Sequence, residues 1–154
     1  MASCSHQAEV NIPIESLWEF VSNIDRWAPL VPGYIDHKII NDRESTWSFY
    51  TDVGIMKKKI QLKVEIVTWQ EPEKVTFNLD GINEKITGEG YFWAKKENRT
   101  NIMTGCLTIR AEGLMAKMAN SILSSSLPSI TVELTEAVAR KAEENYNKRI
   151  KTPL

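Results

Sequence analysis

Histidine and cysteine are scarce in this chain, two of each among 154 residues. Metal centres and nucleophilic triads both draw on these side chains, so their scarcity leaves little room for either chemistry. Cys4 near the start and Cys106 in a strand-like segment make neither a disulfide framework nor a zinc spacing, which fits a reducing compartment. Long apolar runs are lacking too: nothing approaches the roughly 18 consecutive apolar residues of a membrane-spanning helix. The opening from Met1 to His6 has neither the basic nor the apolar region of a secretory signal. The expectation is a cytoplasmic protein with no integral membrane segment. An excess of one charge is missing as well. With 19 basic against 20 acidic side chains and a pI near 6.2, the chain does not read as an electrostatic nucleic-acid binder, which would show a basic face. No metal, no cofactor and no nucleic-acid partner is expected.

What is present is an ordinary globular composition, 42% hydrophobic and 25% charged. A chain of this length can bury roughly 68–70% of its unfolded surface without staples. One domain spanning residues 1–154 is expected.

Apolar spacing orders the elements. Residues 6–12 read as a strand, and Pro13 stands before a helical pattern through Ile14, Leu17, Trp18 and Val21. A second short helix begins around Asn23 to Asp25, carries Trp27 and Leu30, and is stopped by Pro32 and Gly33. Strand candidates follow at 34–41, 46–53, 59–69, 74–80, 85–96 and 101–111. Turn residues separate them: Asn41 and Asp42, Gly54, Glu71 and Pro72, Gly81, and Asn98. The glycosylation-like Asn98-Arg99-Thr100 is read as one of these hairpin turns.

Alternation assigns the faces. Trp47, Phe49, Thr51 and Val53 share a side, as do Ile60, Leu62, Val64 and Ile66, while Lys59, Gln61, Lys63 and Glu65 take the wet side. The apolar face continues through Val75, Phe77 and Leu79, then Ile86, Gly88, Gly90 and Phe92, then Met103, Gly105, Leu107 and Ile109. Three glycines on that face would let a helix approach, let the sheet bend, or leave a hollow. From Leu114 to Asn147 the chain reads as one long helix, with Pro128 as its natural bend. Its apolar stripe is Met115, Met118, Ala119, Ile122, Ser126, Ile130, Leu134, Ala137 and Val138.

Strand, two short helices, six antiparallel strands and a long amphipathic helix make an α+β layout in which the helix covers a curved sheet. This order resembles the helix-grip fold of the START-like, birch-pollen-allergen-like superfamily (SRPBCC): about seven antiparallel strands around a long C-terminal helix, with two short helices between strands 1 and 2. The resemblance is densest from Val10 to Tyr34, V-N-I-P-I-E-S-L-W-E-F-V-S-N-I-D-R-W-A-P-L-V-P-G-Y. Within it, the stretch from Val31 to Tyr34 is similar to the I-P-G-C segment of the CoxG-like family, which is associated with carbon monoxide dehydrogenase. The E-x-x-x-G-x-G stretch from Glu84 to Gly90 is similar to that family's penultimate strand. The chain closes on Lys148 to Leu154 in place of a hydrophobic anchoring tail, so membrane attachment is not carried over. These are scaffold motifs, which identify a fold far better than a substrate.

The resemblance implies an apolar tunnel between sheet and helix, with its mouth near Trp27 and Pro32, the sheet end at Phe49 and Leu62, and the helix around Met118 and Ile122. Val64, Phe77 and Met103 complete the expected ligand-binding set. Flexible methionines at 103, 115 and 118 would favour loose selectivity. The leading expectation is a soluble carrier of a small hydrophobic molecule, lipid or quinone-like, with an accessory role for a redox enzyme as its narrower form. One alternative is a polyketide cyclase or aromatase-like enzyme using the same cavity. The other is a protein interaction module with a filled core.

An enzyme of that kind needs a cavity-facing carboxylate or tyrosine. Asp36, Asp52, Glu84, Glu89, Tyr50 and Tyr91 all lie on strand candidates. Tyr50, Asp52, Glu89 and Tyr91 alternate out of phase with the apolar face, so they read as solvated unless a β-bulge reverses the parity. His6 and His37 read as solvated or satisfied strand histidines. Cys106 between Thr104 and Thr108 reads as the polar side of its strand, and it meets a histidine only if the fold brings one to it. Lys57, Lys58 and Lys59 read as a solvated hairpin. No catalytic residue is assigned.

Overall fold

The computed structural model describes residues 2–53, 56–97, 100–113 and 116–151, except for the side chains of 2, 52, 53, 56, 118, 119, 122, 123 and 149–151. The Asn98 turn, Gly54, Leu114 and Met115 lie outside these residues.

The chain opens with β1 (Ala2–Val10), α1 (Ile14–Val21), the single turn α2 (Ile24–Trp27) and a 3-10 turn (Ala28–Leu30). Six strands follow: β2 (Tyr34–Ile39), β3 (Glu44–Val53), β4 (Met56–Gln70), β5 (Lys74–Gly81), β6 (Ile86–Glu97) and β7 (Thr100–Ala111). The long helix α3 (Ala116–Lys151) ends the chain and continues through Pro128. Pro13 stands just before α1, where its missing N–H costs nothing. Asn23 starts α2 by accepting the Asp25 N–H at 3.1 Å.

The strands form one antiparallel, seven-stranded curved sheet in the order β1-β7-β6-β5-β4-β3-β2. Its concave face is the apolar face that alternation predicts. Trp47, Leu62, Val64, Ile66, Val75, Phe77, Phe92 and Met103 are all buried there. α3 lies over the β1–β7 side of that face, and α1 packs against α3.

Three details differ from the sequence reading. β1 begins at Ala2 rather than residue 6, so Cys4 is not frayed but stands opposite Leu107. The ladder with β7 satisfies this stretch, and its partner lies over a hundred residues away, beyond what local spacing can report. The buried face of α3 is also rotated from the expected stripe. Leu134 and Val138 are buried as expected, but their buried companions are Leu127, Thr131, Thr135, Ala139 and Ala142, while Ile130 is half-buried. Thr131 hides its hydroxyl by donating to the Leu127 carbonyl at 2.8 Å, so an apparently polar residue can face the core. Finally, a β-bulge in β2 between Tyr34 and Asp36 puts Tyr34 opposite Phe49 and His37 opposite Trp47, both on the concave face.

The inward glycines allow close approach rather than an open hollow at two positions. Phe77 fills the space over Gly90, where an added β-carbon would lie 2.6 Å from its ring. Over Gly105 stands Thr135 of α3.

Candidate ligand-binding site

Trp27 occupies the middle of the concave face. It is 1% exposed, its indole N–H donates to the Val21 carbonyl at 3.0 Å, and its ring meets three aromatics of the sheet. Ring centroids lie 5.2 Å away for Trp47, 5.9 Å for Phe77 and 5.0 Å for Phe92, mostly edge-on. Such contacts add about 0.5–1.5 kcal/mol each beyond area burial. α2 thus plugs the part of the sheet that α3 leaves uncovered.

Burial grades along the strands. At the end formed by the C-termini of β4 and β6 and the N-termini of β5 and β7, the interior is closed: Val75 is 0% exposed, Ile66 and Met103 1%. Towards the opposite end Leu62 is 6%, Leu79 8% and Leu107 9% exposed. Beyond them Phe49, Ile86 and Ile109 are only half-buried, as are Leu30, Val31 and Tyr34. This open end lies beside the first turns of α3, which are tied to the sheet by Asn120. Its side chain accepts the Ala111 N–H at 2.9 Å and donates to the Ala111 carbonyl at 3.2 Å. The rim carries an outward hollow of about 500 Å³ between residues 80–87 and Glu112.

Of the expected ligand-binding residues, Trp27, Leu62, Val64, Phe77 and Met103 come together in the buried interior, with Phe49 at its open end. Trp27 and Phe77 pack against each other, and Pro32 is half-buried in the segment leading to β2. Met118 and Ile122 belong to α3, but their side chains lie outside the described residues.

The parity assignment of the ionisable candidates holds where it can be followed. Glu89 is exposed and Tyr50 half-exposed; Asp36, which alternation leaves unassigned, is exposed too, and Glu84 lies in the turn before β6 rather than on a strand and pairs with Lys58. The Asp52 side chain lies outside the described residues. Tyr91 stands on the convex face opposite Cys106, with Lys74 Nζ 4.8 Å from its ring centroid. Burial, followed by the electrostatic and hydrogen-bonding influence of the Cys106 thiol, pushes the Tyr91 phenol above its ordinary pKa. His6 stands opposite Gly105 on the concave side and meets Glu136 of α3 at 2.7 Å, so it does not share a face with Cys106.

What sequence reasoning missed is a polar chain on the concave face. The Tyr34 hydroxyl lies 2.6 Å from His37 Nδ1, and His37 Nε2 lies 2.7 Å from Asp25 Oδ1. Strict alternation separates residues 34 and 37, and the bulge reunites them. A register break needed for this has no sequence signal beyond the preceding Pro32 and Gly33.

Among the described residues no helix is long and apolar enough to cross a membrane. No curated protein matches the chain. A protein-family model spans residues 1–150. Among solved structures, a conserved protein from Geobacillus kaustophilus superposes with a TM-score of 0.77 at 11% identity, covering 92% of this chain and 95% of that one. Norcoclaurine synthase from Thalictrum gives 0.66 at 11% identity, covering 94% and 95%. The Zhui aromatase/cyclase from a Streptomyces species gives 0.62 at 15% identity, covering 94% of each chain. At such identities the likeness is one of fold: strand order, two short helices after β1, and the closing helix. The shared architecture gives this chain the helix-grip fold, a seven-stranded antiparallel curved sheet with two short helices after its first strand and a long closing helix.

Proposed function

We propose that the protein binds a small hydrophobic molecule between the open end of the curved sheet and the first turns of α3. The observation that carries this reading is the burial gradient: Phe49, Ile86 and Ile109 face inward yet remain half-buried, while the other end of the same face is sealed. A ligand there would rest against Phe49, Leu62, Leu79 and Ile109, with Trp27 as its floor. Covering about 300 Å² of apolar surface would gain roughly 7 kcal/mol before association and ordering costs, which sets micromolar affinity as the upper bound for apolar burial of that size. A lipid or quinone-like cargo is one narrower form; an accessory role for a redox enzyme is another, implied by the resemblance of Val31 to Tyr34 and Glu84 to Gly90 to the CoxG-like family. Cyclase chemistry in the same space is favoured by one feature, the polar chain of Tyr34, His37 and Asp25.

Native mass spectrometry of gently purified protein, followed by solvent extraction, tests the reading. A reproducible lipophile, lost in Phe49→Asp, supports carriage. Bare protein that also fails to take up Nile red would leave a filled interaction module as the better description.

A further inference from the structure

The chain Tyr34, His37 and Asp25 has a direction. A carboxylate only accepts, so in the neutral imidazole Asp25 holds the His37 proton on Nε2, which leaves Nδ1 as a lone-pair acceptor. The Tyr34 hydroxyl, 2.6 Å from Nδ1, therefore donates its only proton to His37. What the phenol offers on its other side is a lone pair. Exposure falls from the outer end of the chain to its middle: the Asp25 side chain is 66% exposed and the His37 side chain 11%. Tyr34 stands opposite Phe49 at the open end of the concave face, where the half-buried Leu30, Val31 and Phe49 provide an apolar wall.

A surface ion pair alone would not account for this placement. Such pairs contribute little, and the bulge in β2 turns both rings inward, onto a face that is mostly apolar. An oriented imidazole holding a hydroxyl is the arrangement that fixes which way an oxygen can bond.

We propose that Tyr34 is a specificity-determining hydrogen-bond acceptor, with His37 and Asp25 as its positioning residues, and that the site selects hydrophobic molecules carrying a hydroxyl. The inference rests on the carrier reading and narrows it. A phenol or alcohol can donate to Tyr34. An ether, ester or quinone presents only acceptors and would leave two lone pairs facing each other. Of a quinone and its hydroquinone, the site takes the hydroquinone.

The test is titration of the full chain with β-naphthol and with its methyl ether, read by quenching of intrinsic tryptophan fluorescence. One gained hydrogen bond predicts about tenfold tighter binding of β-naphthol. Tyr34→Phe should erase that difference, weakening β-naphthol and relieving the lone-pair clash with the ether. Asp25→Ala frees the imidazole to carry its proton on Nδ1, so it should narrow the preference without weakening the ether, an effect that a merely structural role would not produce. Nitrogen chemical shifts of His37 should move from the Nε2–H towards the Nδ1–H pattern in the same variant. Equal binding of the two probes by the unaltered protein, or an unchanged ratio in Tyr34→Phe, overturns the selectivity and leaves the carrier reading intact. Failure of both probes to bind overturns both.

Discussion

Thr135 of α3 sits in the notch that Gly105 leaves on β7. A β-carbon added at Gly105 would meet the threonine hydroxyl directly and lie 3.3 Å from the Phe92 ring. The helix is seated at this depth because one sheet position has no side chain. Gly105→Ala should therefore destabilise the fold by about 1–3 kcal/mol, the usual cost of overpacking. Combining it with Thr135→Ala should recover part of the loss. Urea denaturation checks both, and an unchanged midpoint for the single variant would mean that α3 does not need the notch.

Trp27 joins the short helices to the sheet through three aromatic contacts, and its indole hydrogen bond to Val21 ties α2 to α1. Trp27→Ala should cost about 3–5 kcal/mol, since the void lies among rings that cannot collapse into it. Free indole should restore part of the thermal midpoint by filling that void. A loss below about 1 kcal/mol would contradict the role of Trp27 as the plug of the concave face.

The strand faces and element order were legible because alternation and turn residues are local signals. Trp47, Leu62, Val64 and Phe77 fall where period two places them. The face of α3 was less legible, because hydropathy favours Ile130 over Thr131 and Thr135, whereas packing against Gly105 selects a small residue. The interior aromatics were legible as residues but not as a cluster: Trp27 comes from α2 and its partners from β3, β5 and β6. Least legible was the trio of Asp25, Tyr34 and His37. Period two puts residues 34 and 37 on opposite faces, and only the register shift before Asp36 reverses this.

Tyr91 supplies a pH dependence whose sign follows from its surroundings. Burial first, and the Cys106 thiol second, raise its pKa, so the folded chain holds the phenolic proton more tightly than the unfolded chain does. Its stabilising contribution is complete below the ordinary tyrosine pKa and is lost as pH rises through the folded value. In an ultraviolet pH titration, the absorbance change lost in Tyr91→Phe should fall above the ordinary tyrosine range. Cys106→Ala should bring it down, leaving only the effect of burial. A Tyr91-dependent change within the ordinary range would refute the assignment.

Asn120 is placed to control the open end. Its amide pairs with both the N–H and the carbonyl of Ala111, a residue only 5% exposed at the end of β7. Asn120→Ala leaves both groups without their partner, a loss of about 1–3 kcal/mol for a buried orphan. The cost is local, because the interior below is held separately by Leu127, Leu134 and Val138. The Ala111 amide should therefore exchange with deuterium much faster in the variant, while the amides of Val75 and Met103 keep their protection. If a ligand enters between α3 and the ends of β6 and β7, Nile red should also dissociate faster, with its association rate raised alongside. Faster exchange at Ala111 with unaltered dye kinetics would place the opening elsewhere, on the side of Val31 and Phe49.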